Sequence, residues 1–206
     1  TISREIILKT VHHYDWVQLG AALDHPEHGK GQDVSQSVTQ ETGVADANVK
    51  VIPWTGYGDR NILFSILHQE KPDVIMHFTD PRYWTWLYEL EHEVRQTIPI
   101  MYYNIWDDVP YPHWNEAYYE SCDLLMNISR QTQNIVKNVL RKHPKEDWAV
   151  QWVPHGVNES NFYKIDELHS EWDDFQQFKK GFSGSNDFEF IVFWNNRNIR
   201  RKQPGD

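Results

Sequence analysis

The sequence is poor in cysteine: Cys122 stands alone among 206 residues. No intrachain disulfide can form, which fits a reducing compartment, and we expect a cytoplasmic protein. Long apolar runs are missing too. None approaches the roughly 18–20 residues that span a bilayer. No signal peptide is visible, although the chain opens at Thr1 without Met. Basic residues are scarce, with 20 Lys+Arg against 30 Asp+Glu and a net charge of −10. That balance excludes broad nucleic-acid binding, which needs a basic face, and does not favour anionic lipid. Signature motifs are absent as well. There is no P-loop, no Gly-x-Ser-x-Gly elbow and no Asp-x-Asp metal motif. Gly56-Tyr-Gly58-Asp59 lacks the third glycine of a dinucleotide fingerprint. His12, His13, His25 and His28 have no Cys or carboxylate at ligand spacing, so we expect neither metal nor cofactor.

What is there suits a folded α/β protein. Hydrophobic residues at 39% and aromatics at 14% can fill a core, which excludes global disorder. The length suits one large domain or one and a half. Strand readings fall at Trp16–Leu23, Val49–Trp54, Asp73–Phe78, Ile98–Ile105, Leu124–Ile128, Ala149–Val153 and Phe188–Trp194. Several are near-continuous apolar runs, the pattern of a parallel sheet covered on both faces. Helical periodicities lie between them. Ile62, Leu63, Ile66 and Leu67 share a face, as do Tyr83, Leu87, Leu90 and Val94. Ile135, Val136, Val139 and Leu140 repeat the pattern, and Leu168, Trp172, Phe175 and Phe178 mark a last helix. A first helix is expected over Ser3–His12, and the polar segment Asp24–Asn48 is expected to be a long surface loop. The alternation predicts an open, doubly wound, mostly parallel sheet with right-handed crossovers. A chain that opens on a helix and closes on a post-strand loop looks cut at both ends.

Three segments carry candidate chemistry. The last apolar strand runs into Arg197, Arg200, Arg201 and Lys202. Loops after strand ends are where α/β proteins bind ligands, and such cations suit phosphate oxygens. The alternative is a solvated basic turn. Val153-Pro154-His155-Gly156-Val157-Asn158 is a second post-strand turn. His155 there can donate to a ligand or exchange a proton, or be an ordinary turn residue. Asp107 and Asp108 follow the Ile98–Ile105 strand. They can accept bonds from acceptor hydroxyls or cap the next helix. Tyr83, Trp84 and Trp86 can stack on a sugar face or belong to the core.

The Val-Pro-His-Gly-Val-Asn segment, the helix after it and the final Phe188–Asp206 stretch together resemble the interdomain region of GT-B retaining glycosyltransferases. More narrowly, they are similar to glycosyltransferase family four. Only the last ~55 residues carry specific motifs, and short motifs recur by chance. The resemblance implies a Rossmann-like N-terminal domain over 1–156, a connector with a helix over 157–186, and the start of a nucleotide-sugar-binding domain over 187–206. It implies that Arg197 and Lys202 grip the diphosphate of a nucleotide-sugar donor, with His155 and Gly156 lining the cleft. The donor sugar would pass to a glycan or other hydroxyl acceptor, with retention and without a metal. Asp107, Asp108 and His155 become the acceptor-side candidates. The His-Asp pair that many relatives carry after the fourth strand is absent. By the same resemblance, a first strand with a Gly-rich loop would lie before Thr1 and paired glutamates after Asp206. A nucleotide-sugar epimerase and a non-catalytic carbohydrate-binding module are the alternatives.

Overall fold

The computed structural model describes residues 2–184, 188 and 190–192. The chain divides into two compact units, 1–156 and 157–206. The first is α/β. It runs α1 (Ile2–Thr10), β1 (Trp16–Ala21), β2 (Gln32–Asp33), α2 (Ser35–Thr42), β3 (Val49–Trp54), α3 (Arg60–Glu70) and β4 (Ile75–His77). It continues α4 (Thr85–Glu89), α5 (Glu91–Val94), β5 (Ile100–Asn104), α6 (Glu116–Glu120), β6 (Leu124–Asn127), α7 (Arg130–Val139) and β7 (Val150–Trp152).

The strands form two hydrogen-bonded sheets rather than the single sheet expected. One is four-stranded and wholly parallel, in the order β4-β5-β6-β7. The other holds three strands in the order β1-β3-β2, with β1 parallel and β2 antiparallel to β3. The short β2 and the helix α2 occupy the segment expected to be a loop. The helix was hidden because Ser35–Thr42 is almost wholly polar, and Val38 is its one buried residue. Asp33 accepts a hydrogen bond from the Ser35 amide at 2.9 Å, which orders the entry to α2.

The four-stranded sheet carries the larger core. In register, His77 faces Tyr102, Tyr102 faces Leu125, and Leu125 faces Val150. All four are buried, so one row of side chains crosses the sheet. Ile135, Val136 and Val139 of α7 pack in the same cluster, as do Leu87, Leu90, Val94 and Tyr119. Alternation along a strand explains the rest of this face: Asn104 and Asn127, two residues on from Tyr102 and Leu125, lie on it too. A smaller cluster joins Ile7 and Val11 of α1 to Val38, Ala47 and Val49.

Two caps fix the helices that flank the sheet. Asp59 accepts from the amides of Asn61 (2.7 Å) and Ile62 (3.0 Å) at the start of α3. Ser129 accepts from the Thr132 amide at 3.0 Å at the start of α7. Arg95 holds the carboxylate of Asp123 through two nitrogens at 2.8–3.2 Å, and that carboxylate also accepts from the Ile100 amide at 2.8 Å. Burial works against the Asp123 anion, yet the bonds from Arg95 and Ile100 win and hold its carboxyl below the usual range.

The expected helix over Tyr83–Val94 is broken. A 3-10 turn at Pro81–Tyr83 leads into α4 and then α5. Leu87, Leu90 and Val94 are still buried on one side. In the second unit, α8 (Trp172–Ser183) carries the expected aromatic stripe, beginning four residues later than Leu168. None of the described residues from 157 onward is buried. Of the expected strand Phe188–Trp194, residues 188 and 190–192 are irregular and the others lie outside the described residues. Among the described residues, no helix is long and apolar enough to cross a membrane.

Candidate functional site at the carboxyl edge of the parallel sheet

Because β4 to β7 are all parallel, the loops that follow them emerge along one edge. The residues that follow the strands directly are 78–80, 105–108, 128–129 and 153–156. Buried amides at the strand ends organise them. Asn104 Nδ2 donates to Asn127 Oδ1 at 3.3 Å, and Asn104 Oδ1 accepts from the Trp106 amide at 3.1 Å. Asn127 Nδ2 donates to the carbonyls of Leu125 (3.2 Å) and Gln151 (3.0 Å), linking β6 to β7. These are fully satisfied buried polar groups, which makes the edge rigid.

The loop with Asp107 and Asp108 is pinned by its backbone. Thr132 Oγ1 donates to the Trp106 carbonyl at 2.7 Å, and Gln131 Nε2 donates to the Asp107 carbonyl at 3.1 Å. Trp106 Nε1 donates to the Asp108 carbonyl at 2.9 Å. Both carboxylates are therefore held outward on a fixed backbone, and both residues are exposed. Neither caps a following helix. Asp108 Oδ1 accepts from the Val109 amide at 2.8 Å, and α6 and the 3-10 turn before it begin without a side-chain cap. Arg82 lies 5.8 Å from the Trp106 ring, and Trp114 meets that ring edge-on at 6.0 Å.

His155 is set by aromatic packing. Its ring stacks on Tyr103 at 5.3 Å and 9°, with Phe78 edge-on at 6.4 Å. Tyr103 Oη donates to the Val153 carbonyl at 2.7 Å, so one tyrosine fixes both the turn and the imidazole. Burial pushes the His155 pKa down, which keeps the ring neutral at neutral pH. Its Nε2 is buried and without a partner among the described residues. A neutral imidazole in this state can accept a proton or donate one hydrogen bond. The strands that bear Asp107, Asp108 and His155 lie two places apart, about 10 Å by strand spacing.

Gly156 follows His155 in the same loop. It has no positive φ, and a Cβ there would meet nothing within 4 Å. Nothing in the described fold requires glycine at that position. Arg197 and Lys202, with Arg200 and Arg201, lie outside the described residues. Tyr83, Trp84 and Trp86 split between the two readings offered for them. Tyr83 is exposed and stacks on Tyr57 at 4.5 Å and 9°, while Trp84 and Trp86 pack partly against the core. Gly56 and Gly58 both adopt positive φ, +83° and +87°, and lead directly to the Asp59 cap of α3. They serve a tight strand-to-helix turn.

Sequence reading missed His77. It ends β4, is 3% exposed, and stacks on Tyr102 at 4.9 Å. Its Nδ1 lies 2.6 Å from Tyr88 Oη. The other neighbour of that hydroxyl is the weakly polar Cys122 Sγ, at 3.9 Å. Tyr88 Oη and His77 Nδ1 share one hydrogen, and which of them donates depends on the ring tautomer. Burial, opposed only in part by the Asp80 charge, pushes the His77 pKa down to about 3. Burial also pushes the Cys122 thiol up to about 12, so no thiolate forms at neutral pH. Among the described residues, no group of three His, Cys, Asp or Glu side chains is arranged to hold a metal.

No family model, no curated protein and no solved structure matches this chain.

Proposed function

We propose that residues 1–156 are the acceptor-binding, Rossmann-like half of a GT-B glycosyltransferase, and that Arg197 and Lys202 belong to its donor half. The observation that carries this reading is the carboxyl edge of the parallel sheet. Outward carboxylates (Asp107, Asp108) and a neutral, half-buried imidazole (His155) stand there on a backbone pinned by buried amides. Such an edge is where open parallel sheets bind ligands. The division of the chain after Gly156 gives it further support, since the resembling turn closes the first domain at that point.

In this reading a nucleotide-diphosphate sugar loses its diphosphate while an acceptor hydroxyl bonds to the sugar. Arg197 and Lys202 offset the charge that grows on the leaving diphosphate, in place of a metal. Asp107 and Asp108 accept hydrogen bonds from acceptor hydroxyls and orient them. His155, uncharged before reaction, donates to a substrate oxygen or takes up a proton from it. Configuration is retained, and the enzyme works in the cytoplasm.

The test uses the full-length protein with nucleotide-sugar donors and measures donor binding and transfer. Arg197→Ala and Lys202→Ala should each weaken donor binding about tenfold to a hundredfold, the value of one charge-assisted bond. Unchanged donor affinity in both overturns the diphosphate assignment. Asp107→Asn and Asp108→Asn should raise the acceptor KM and leave donor binding alone. A non-catalytic carbohydrate-binding module is the second reading, favoured by the exposed aromatics Tyr57, Tyr83 and Trp114. Glycan binding without nucleotide-sugar binding would decide for it.

A further inference from the structure

Three ring nitrogens near the end of β4 are buried and have no hydrogen-bond partner among the described residues: His77 Nε2, Trp84 Nε1 and Trp86 Nε1. They belong to one cluster. The His77 and Trp84 rings are 5.2 Å apart, and the Trp84 and Trp86 rings 5.1 Å apart. The two indole nitrogens are N–H donors, His77 Nε2 donates or accepts according to its tautomer, and all three rings are uncharged. Buried polar ring nitrogens are nearly always paired, so three unpaired ones in neighbouring rings call for partners.

Asp80 narrows the chemistry of those partners. Its carboxylate acts electrostatically on His77, and Arg82 Nε holds it at 3.0–3.1 Å. The Asp80 charge disfavours a second anion, and the two indole N–H groups turn away a cation. A hydroxyl suits both, because it accepts from N–H while it donates to a carboxylate. The surroundings are aromatic, with Tyr102 against His77 and the exposed Tyr57–Tyr83 stack on the flanking loops. Apolar ring faces with a few converging polar groups are the makeup of a small-molecule site. A sugar presents apolar C–H faces and hydroxyl edges.

We propose that His77, Trp84 and Trp86, with Asp80, form a subsite for a saccharide hydroxyl at the carboxyl end of β4. The inference deepens the acceptor reading above and rests on it for the substrate class.

The test is an NMR titration of the 15N-labelled chain. The probes are methyl α-D-glucopyranoside, methyl α-D-mannopyranoside and methyl β-D-galactopyranoside. At least one should shift the indole N–H signals of Trp84 and Trp86 together and saturably. Trp84→Phe and Trp86→Phe keep a ring and remove one donor each. Each should weaken that glycoside about tenfold, with far-UV circular dichroism unchanged. Three results overturn the subsite: no glycoside moves either signal; the Phe variants bind as tightly as the parent; or both indole N–H groups contact slowly exchanging water only. Uridine and guanosine diphosphate binding separates this failure from that of the transferase reading. Diphosphate binding lost in Arg197→Ala, without glycoside binding, keeps the transferase and removes the subsite. Glycoside binding lost in the Phe variants, without diphosphate binding, does the reverse.

Discussion

His77 makes acid lability a sharp prediction. It closes a buried row with Tyr102, Leu125 and Val150, and its pKa falls from 6.5 to about 3 on folding. The unfolded chain therefore binds a proton that the folded chain refuses. Stability contributed by the neutral ring is complete above pH 6.5 and is lost as pH falls from there toward the folded value. Each pKa unit is worth about 1.4 kcal/mol, so the full depth is about 5 kcal/mol. Between pH 7 and pH 5 the loss is about 2 kcal/mol, a large share of a typical stability of ~5–15 kcal/mol.

The assay is urea unfolding at pH 7, 6 and 5, for the parent chain and for His77→Gln. Glutamine can still hydrogen-bond Tyr88 in either direction but does not titrate. Other histidines, His155 among them, lie in both proteins and cancel in the difference. The His77→Gln stability should fall less steeply, so the gap between the two proteins narrows or inverts by about 2 kcal/mol on acidification. A pH-independent gap refutes the argument. So does an imidazole signal of His77 that titrates near pH 6 in the folded state, a measurement that needs no variant.

Three further outcomes follow from the packing. Gly58→Ala should cost about 1–3 kcal/mol in a urea melt, because φ is +87° and a Cβ would stand 2.9 Å from Leu19 Cδ2 and 3.1 Å from Trp86 Cζ2. Ser129→Ala should cost about 1 kcal/mol or somewhat more, since it removes the cap of α7 and the 2.9 Å bond to the buried Thr132 hydroxyl. Cys122 should resist a thiol-labelling reagent in the native chain and react stoichiometrically in urea, because its side chain is fully buried and its thiol is held neutral.

The strands of the parallel sheet were legible for a physical reason. Strands covered on both faces read as apolar runs, and Leu124–Asn127 and Ile100–Asn104 are such runs. The helix faces at Ile135, Val136 and Val139 were legible through their spacing. The helix α2 was not, since one buried valine makes no stripe. The break between α4 and α5 was not, because Leu87, Leu90 and Val94 keep helical spacing across it. Phe188–Trp194 and the basic loop after it lie largely outside the described residues, so the donor-side reading stands on sequence alone.

The candidate site divides along the same line between backbone and partner. Asp107, Asp108 and His155 could be named because they follow strands, and a loop after a parallel strand has its place set by the sheet. What makes those positions rigid could not be read off. Asn104 and Asn127 look like strand-end polar residues until the register sets them side by side. His77 is a single polar letter in an apolar run, and only the folded neighbours leave its Nε2 buried and unpaired among the described residues. A residue's location along a chain is a local property, whereas satisfaction of its hydrogen bonds depends on residues far away in sequence. Tyr103 illustrates the difference: it bonds Val153 fifty positions on and carries the His155 ring. Replacing it with phenylalanine would keep the stack and free the turn, so the two roles are separable. A loss in Tyr103→Phe of the role proposed for His155, read as the transfer rate, would assign the positioning to the hydroxyl, and its retention to the ring.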